Sequence, residues 1–239
     1  MRRLVVDGAQ FQADGTVLLD PQTHHYVTNV LRLAAGDSVE VADGAGTLWR
    51  GQLVWVGGMA RVHDLRVIRR AEDQTRLVLV AALLKGNRWE WLLEKATELG
   101  VHTIQPVAAS RSIVKVDLRD VTDRTARWQK IADAAMQQSQ GLIRTTVRPV
   151  VTLETAMQSV EGLRLVADEK QTSSAWPSFD AVTSVQMYVG PEGGWTDQER
   201  AAMTRHGVQG VGLGSRILRA ETAGIAMLSG ARLRLDGVL

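Results

Sequence analysis

Three loops that could bind a ligand follow apolar stretches in the second half of the chain. They read "LVADEK" (165–170), "VGPEGGW" (189–195) and "VGLGSRILRAETA" (211–223). The apolar stretches have the composition of strands in a parallel sheet, and ligands collect beyond the carboxyl ends of such strands. We therefore expect the three loops to frame one pocket. Paired glycines allow backbone N–H groups to come close to a ligand, whereas Glu192 in the second loop disfavours a phosphate there.

The third loop matches neither of the common phosphate-binding motifs. A dinucleotide fingerprint requires G-x-G-x-x-G, and here Gly212-x-Gly214 is followed by Ile217 at the place of the third glycine. A P-loop requires a Gly-Lys-Ser/Thr step, which the segment lacks. A nicotinamide dehydrogenase is further disfavoured because no acid stands about 20 residues past a first βα turn.

The elements that must position these loops differ between the two ends of the chain. Up to about Ile68, short runs alternate apolar and polar residues, and Gly57-Gly58 offers turn chemistry. This pattern predicts a small β-barrel with one helical insert at "THHYVTNVLRL". The charged stretch "RVIRRAEDQTR" is interpreted as a linker that ends near Thr75.

Strands and helices alternate after the linker. Strands are predicted at "RLVLVAALL", "VHTIQPVAA", "LRLVAD", "VQMYVG" and "VQGVGLG". Helices are predicted at "GNRWEWLLEKATELG", with Gly100 at its end, at "DRTARWQKIADAAMQQSQ", and at "TDQERAAMTRHG", where Thr196 and Glu199 have capping-box spacing. The order predicts an α/β fold with a mostly parallel sheet.

Composition narrows the function classes. The 239 residues carry a net charge of +2, with 23 Arg and 5 Lys among the 28 basic residues. Arginine suits phosphate and base contacts, although codon bias explains the excess equally well. There is no cysteine, which excludes disulfides and thiol nucleophiles, and the five histidines show no ligand spacing, so no metal is expected. No apolar run reaches the length of a membrane helix, and we expect a cytoplasmic protein.

Five segments occur together, in order and at suitable spacing: "LLKGNRWEWLLEKATELGVHTIQP", "RS" at 111–112, "WQKIADAAMQQS", "GPEGGWTDQE" and "LGSRILRAETA". With them the chain resembles the ribosomal RNA small-subunit methyltransferase E family, over essentially its whole length. The resemblance implies a knotted SPOUT methyltransferase domain at 73–239. It also implies a PUA-like RNA-binding β-barrel at 1–72, in which "HHYVTNVLRLAAGD" matches the family pattern.

The resemblance implies methylation of N3 of one specific uridine in 16S ribosomal RNA. The methyl donor would be S-adenosyl-L-methionine, and the partners would be 16S rRNA within the 30S subunit and a second copy of the chain in a homodimer, with no membrane. The cofactor loops carried over from the family would consist of Ala167, Gly190, Pro191, Glu192, Gly193, Gly194, Leu213, Gly214, Ile217 and Leu218.

Arg219 and Glu221 are the candidate catalytic residues under this resemblance. N3 of uracil carries a proton, so the enzyme must position the base and help to remove that proton. Arg219 could bind a uracil carbonyl, and Glu221 could orient that arginine or accept the proton; a purely structural pair remains the alternative. Candidate RNA-binding residues, each of which could instead be an ordinary surface charge, are Arg2, Arg3, Arg32, Lys85, Arg88 and Arg111.

One segment departs from the family pattern, and two rival functions remain open. In "QQSQG", Gln137 replaces an acid and Gly141 replaces an arginine, a role that Arg144 could take over. A ribose 2′-O-methyltransferase of the SPOUT class would carry Asn-Glu-x-x-Gly and Ser-Leu-Asn-Val-Ser motifs, where this chain has "GPEGG" and "ILRAETA". A module that only binds RNA would be distinguished by its failure to bind the cofactor.

Overall fold

The computed structural model describes residues 2–71, 75–114, 121–158, 162–169 and 176–238. The chain divides into two compact units. The amino-terminal unit comprises Met1–Asp73 and Met136–Arg144, and the carboxy-terminal unit comprises Gln74–Ala135 and Thr145–Leu239. The predicted boundary at residues 72 and 73 lies outside the described residues.

The amino-terminal unit is built on a five-stranded sheet with the strand order β1-β3-β4-β5-β2. The strands are β1 (Arg2–Val5), β2 (Val17–Leu18), β3 (Ser38–Ala42), β4 (Thr47–Val56) and β5 (Met59–Arg70). The predicted helical insert consists of helix α1 (Pro21–His25) and one π-helical turn (Tyr26–Val30). Alternate residues of the strands, such as Leu4, Val39 and Val62, bury into one core with Val27 of the insert.

The long hairpin of β4 and β5 shapes this sheet. Gly57 and Gly58 form its two-residue turn, and both have positive φ (60° and 80°), as the predicted turn requires. The pairing is irregular around Gly51, where a Cβ would lie 2.5 Å from the carbonyl oxygen of His63. Such irregularities bend a sheet and increase its twist, and only glycine fits at this point.

The first part of the predicted linker is in fact strand. Arg69 and Arg70, which follow the strand-like pattern predicted up to about Ile68, belong to the end of β5 and pair with β4. Residues 66–70 are exposed, so the apolar and polar alternation that identifies a half-buried strand is absent there. Backbone pairing rather than side-chain burial therefore determines this part of the structure.

The carboxy-terminal unit contains a seven-stranded sheet in which all strand pairs are parallel. Its order is β12-β10-β11-β6-β7-β8, with β9 also paired to β7. The strands are β6 (Arg76–Ala82), β7 (Thr103–Ala108), β8 (Thr146–Val147), β9 (Val151–Thr152), β10 (Leu163–Ala167), β11 (Ser184–Val189) and β12 (Gln209–Val211). The predicted α/β fold with a mostly parallel sheet is confirmed.

Helices cover both faces of this sheet. They are α2 (Asn87–Glu98), α3 (Val121–Ser139), α4 (Leu153–Met157), α5 (Asp197–Arg205) and α6 (Ala220–Leu235). Leu79 packs with Leu92 of α2 and Leu228 of α6 in one core, and the next residue, Val80, packs with Met203 of α5 in the other. Burial on both faces explains why the central strands are nearly continuous apolar runs.

Local signals for the helix ends are confirmed, and some short elements were missed. The Thr196 and Glu199 capping box is formed at α5, and Gly100 follows α2 with φ of 75°. The two-residue strands β8 and β9 and the single-turn helix α4 are too short to show a periodicity. None of the helices in the described part of the chain is long and apolar enough to cross a membrane.

Candidate active site

Three of the strands bring their loops to one edge of the sheet. β10 lies between β11 and β12 and is parallel to both. Val166 of β10 pairs with Tyr188 of β11, and Ala167 pairs with Val211 of β12. Because the three strands end at neighbouring positions, the loops that follow them start side by side.

A cleft lies between the loops that follow β10 and β12. Its lining consists of Ala167, Asp168, Glu169, Leu213, Gly214, Ser215, Arg216, Ile217, Leu218 and Ala223. Ala167, Leu213, Gly214, Ile217 and Leu218 were predicted at this site. Gly214 has φ of 104°, a conformation that side chains rarely adopt, and Ile217 is 88% exposed. The lining combines apolar side chains with backbone groups and two carboxylates, as small-molecule sites often do.

The predicted loop Gly190–Gly194 does not line this cleft but packs beside it. It closes a turn in which the N–H of Gly194 donates to the carbonyl of Pro191 (2.8 Å). A Cβ on Gly190 would lie 3.1 Å from Nε1 of Trp195, and a Cβ on Gly194 would lie 3.7 Å from Oε1 of Glu169. The loop therefore approaches the cleft through Glu169.

Glu192 connects this loop to the loop after β6. Its Oε1 accepts hydrogen bonds from the backbone N–H of Lys85 (3.1 Å) and from Nη1 of Arg88 (3.4 Å). Its Oε2 is buried and has no hydrogen-bond partner among the residues that the structure describes. In this structure Glu192 therefore binds protein donors, and both Lys85 and Arg88, two of the predicted RNA-binding residues, lie exposed next to it.

The loop after β7 is joined to the same region. Nη1 of Arg111, also a predicted RNA-binding residue, donates to the carbonyl of Gly193 (3.1 Å). Oε1 of Glu199 accepts from the backbone N–H of Ser110 (2.8 Å), and its Oε2 accepts from Thr196. Burial alone would raise the pKa of Glu199, but the hydrogen bonds from Ser110 and Thr196 outweigh it and lower the pKa.

Arg219 and Glu221 stand at the start of α6, immediately after the cleft loop. Arg219 occupies the N-cap position, is exposed, and makes no side-chain hydrogen bond to the helix end. Glu221 lies in the first turn and is only 9% exposed, and its buried Oε2 has no hydrogen-bond partner in the described part of the chain. Among the described residues no hydrogen bond or ion pair joins the two side chains. Arg219 and Glu221 are therefore neighbours along the chain but do not form a pair in this structure.

The three predicted arginines of the amino-terminal unit have different surroundings. Nη1 of Arg2 donates to the carbonyl of Leu31 (2.8 Å). Arg3 binds Glu40 (3.0 Å), with side chains that are 12% and 13% exposed, and also the carbonyl of Gln140 (2.6 Å). Burial alone would raise the pKa of Glu40, but bonds from Arg3 and a second arginine lower it. Arg32 is exposed, with φ of 50°.

Sequence reasoning missed a cluster of charged residues at the cleft. Asp168 and Glu169 follow β10 directly, and both bind the guanidinium of Arg200 on α5; the Nη2 to Glu169 Oε1 distance is 2.6 Å. The sequence does contain a signal for Asp168 and Glu169, because two acidic residues directly follow a buried strand. Arg200 stands 32 residues from Asp168, and no local pattern connects them.

Within the residues that the structure describes, no group of three or more His, Asp or Glu side chains is placed to hold a metal ion. The polar groups of the cleft are hydrogen-bonding carboxylates, a hydroxyl, a guanidinium and backbone groups. Such a site can bind an organic ligand through its apolar walls and fix the orientation of that ligand through a few hydrogen bonds.

Two family models match the chain. The model of the RNA methyltransferase domain matches residues 71–232, and the model of the RNA methyltransferase PUA domain matches residues 19–54. The first match contains the whole parallel sheet with its cleft, and the second lies in the amino-terminal unit.

Relatives and solved structures agree with these models. A ribosomal RNA small subunit methyltransferase E from Synechocystis is 34% identical over 92% of this chain and 74% of its own length, and one from Bacillus subtilis is 29% identical over 92% and 91%. The crystal structure of such an enzyme from Neisseria gonorrhoeae bound to S-adenosyl methionine superimposes with a TM-score of 0.79, at 28% identity over 98% and 97% of the chains. The chain therefore belongs to the ribosomal RNA small subunit methyltransferase E family.

Proposed function

We propose that this protein transfers a methyl group from S-adenosylmethionine to N3 of one uridine in 16S ribosomal RNA. The observation that carries the proposal is the cleft of the carboxy-terminal unit, which continues along the chain into Arg219 and Glu221. Membership of the family supports the reaction, and the relative from Neisseria gonorrhoeae supports the choice of methyl donor.

The residues of the cleft fit an adenosine-containing cofactor. Leu213, Ile217 and Leu218 supply apolar surface for an aromatic base, and Gly214 leaves open space where a side chain would stand. We assign Ala167 and the loop after β12 to binding of the cofactor. We assign Gly190–Gly194 to a supporting wall, because this loop packs beside Glu169 and holds the neighbouring loops in place.

The bound cofactor would supply an electrophilic methyl group on a sulfonium. Arg219 is positioned to donate hydrogen bonds, because its guanidinium is exposed next to the cleft loop. We propose that Arg219 binds a uracil carbonyl and stabilises the negative charge that develops when the N3 proton leaves. Oε2 of Glu221 has no hydrogen-bond partner among the described residues, and Glu221 is our candidate for the group that accepts this proton or orients Arg219.

RNA binding is assigned to exposed arginines and lysines of both units. Lys85, Arg88 and Arg111 surround the Gly190–Gly194 loop, where they can contact phosphates of a strand whose uridine enters the site. Arg2 and Arg32 are assigned the same role in the amino-terminal unit. Arg3 contributes least, because Glu40 and Gln140 already occupy its donors.

The remaining parts of the proposal concern organisation and context. Residues 1–72 would form an RNA-binding barrel, and residues 73–239 would form a knotted methyltransferase domain of the SPOUT class. We further propose a cytoplasmic homodimer that acts on the assembled 30S subunit. Light scattering at micromolar protein concentration tests the dimer, and a monomeric mass would contradict it.

Transfer of a labelled methyl group tests the proposed activity. The protein is incubated with methyl-labelled S-adenosylmethionine and either 30S subunits or free 16S rRNA, both from a strain that lacks this methylation. We expect incorporation of one methyl group per 30S subunit and little incorporation into free rRNA. Absence of label from both substrates would refute the proposed reaction, and equal labelling would refute the preference for the assembled subunit.

A further inference from the structure

We propose that Glu169 determines recognition of the cofactor ribose, and that Arg200 is the residue that positions Glu169. The ligand chemistry is a vicinal pair of uncharged hydroxyl donors. This inference rests on the proposed function, because it takes the cleft after β10 and β12 as the place where S-adenosylmethionine binds.

The backbone that carries Glu169 is held rigidly at the end of β10. The N–H of Asp168 donates to the carbonyl of Val211 on β12 (3.1 Å), so the pairing with β12 continues up to the residue before Glu169. Both carboxylates line the cleft. A site built on the end of a strand positions its polar groups more accurately than a site on a free loop.

Arg200 fixes the side chains of both acids. Its Nη1 binds Asp168 and its Nη2 binds Oε1 of Glu169 at 2.6 Å. The side chains of Arg200 and Asp168 are each 16% exposed, whereas that of Glu169 is 48% exposed. A planar guanidinium that binds two carboxylates restricts the rotamers of both. Arg200 therefore orients Glu169 without blocking it from solvent.

One oxygen of Glu169 remains available for a ligand. Oε1 is occupied by Arg200, and a Cβ on Gly194 would lie 3.7 Å from it. Oε2 accepts no hydrogen bond from any residue in the described part of the chain, and the half-exposed side chain lines the cleft. An ionised carboxylate has about four lone-pair sites, so Oε2 can accept bonds from two donors.

The surroundings of Oε2 suit uncharged donors. A ligand ammonium on Oε2 would lie within several ångströms of a guanidinium that already binds Oε1, and repulsion from Arg200 would offset part of the attraction from the net charge of −1 that Asp168, Glu169 and Arg200 carry together. A ribose offers two adjacent hydroxyl groups without this repulsion. In dinucleotide-binding folds with an open parallel sheet, a carboxylate likewise accepts a hydrogen bond from a ribose hydroxyl.

A chemical double-mutant cycle tests the inference by calorimetry. The affinities of the wild-type protein and of Glu169→Ala are measured for S-adenosylhomocysteine and for three analogues. The analogues are the 2′-deoxy form, the 3′-deoxy form, and the form that lacks the α-amino group of the homocysteine part. We expect Glu169→Ala to weaken binding of the parent ligand about 10-fold, the low end for a hydrogen bond to a charged group. We expect this loss to shrink to less than about 2-fold with at least one deoxy ligand.

Other outcomes would overturn the inference in distinct ways. An unchanged affinity for the parent ligand removes Glu169 from recognition. A loss that persists with both deoxy ligands but disappears with the ligand that lacks the α-amino group would show that Glu169 binds the α-ammonium instead of the ribose. A loss that persists with all ligands indicates an indirect effect. If the wild-type protein binds none of these ligands, the proposed location of the cofactor fails before Glu169 is in question.

Arg200 is tested by separating binding from turnover. We expect Arg200→Gln to raise the KM for S-adenosylmethionine about 5-fold with little change in kcat, and Arg200→Lys to restore part of the loss because it keeps the charge. Equal losses in kcat and kcat/KM with an unaltered KM would contradict a positioning role. Glu154→Ala, which removes an exposed carboxylate at the start of α4, is the matched control and should change neither affinity nor KM.

Discussion

Replacing Arg219 with alanine separates the chemistry of the site from its stability and from cofactor binding. Arg219 is exposed at the N-cap of α6, and its side chain caps no backbone group. Alanine at this position therefore removes no helix cap, and we expect the free energy of unfolding to change by less than about 0.5 kcal/mol. The residue is also absent from the lining of the cleft, so the affinity for S-adenosylmethionine should stay within about 2-fold of the wild-type value.

The expected loss falls on methyl transfer. If Arg219 stabilises charge on the uracil ring, its removal deletes one preorganised electrostatic contact, which costs about 2.7–4 kcal/mol or about 100- to 1,000-fold in rate. The effect should appear in kcat and kcat/KM for the RNA alike, because the contact strengthens as the proton leaves N3.

The assay is single-turnover transfer of a labelled methyl group to 30S subunits, with cofactor affinity measured separately by calorimetry. Arg205→Ala, which removes an exposed arginine from the last turn of α5, serves as the control for a general loss of positive charge. Turnover of Arg219→Ala within 3-fold of wild type (about 0.6 kcal/mol) would remove this residue from the mechanism. An equal loss in Arg205→Ala would show that nonspecific electrostatics, rather than a contact to the base, explains the effect.

Two further predictions concern stability. Burial, with help from Arg232 and Arg76, lowers the pKa of His102 to about 4, and its neutral Nδ1 accepts from the N–H of Leu77. Between pH 6.5 and 4 the unfolded chain binds a proton that the folded chain does not. The free energy of unfolding therefore falls as the pH falls, by up to about 2 kcal/mol after discounting for partial exposure. Urea unfolding of His102→Asn should lack this pH-dependent component, and a pH dependence identical to that of the wild type would contradict the prediction. Leu92→Ala should lower the free energy of unfolding by about 2–5 kcal/mol because the side chain is fully buried. Leu233→Ala, on the exposed surface, should lower it by less than about 1 kcal/mol, and equal losses in the two variants would contradict the role of burial.

The sequence predicts those parts of the fold that depend on local chemistry. The Thr196 and Glu199 capping box, the glycine after α2 and the turn at Gly57-Gly58 all appear as expected. Each needs only a few neighbouring residues, so its signal is contained in a short window. The buried strands are equally clear, since burial on both faces requires a continuous apolar run.

Features that depend on distant residues were not predictable from the sequence. The end of β5 shows no burial pattern because only its pairing with β4 defines it as a strand. Residues 136–144 join the amino-terminal unit through contacts such as those of Leu142 with Ala42 and Leu48. Arg200 reaches the cleft acids only because α5 packs there in the fold.

For the site, the sequence located the cleft loops but not every contact within it. The rule about strand ends selected the loops after β10 and β12. The individual lining residues Ala167, Leu213, Gly214, Ile217 and Leu218 came from the resemblance to the family. Charged partners require three-dimensional information, because a carboxylate such as Glu192 can face a ligand or bind protein donors with the same local sequence. The roles of the selected residues in binding and catalysis stay predictions.

Identification of the modified atom tests the central claim most directly. 30S subunits methylated by this protein are digested to nucleosides, and the product is compared with authentic N3-methyluridine and 2′-O-methyluridine by chromatography and mass spectrometry. N3 methylation also blocks Watson–Crick pairing, so reverse transcription should stop at one uridine. We predict N3-methyluridine at a single position. A ribose-methylated product, or a methyl group on any base other than uracil, would contradict the proposed reaction.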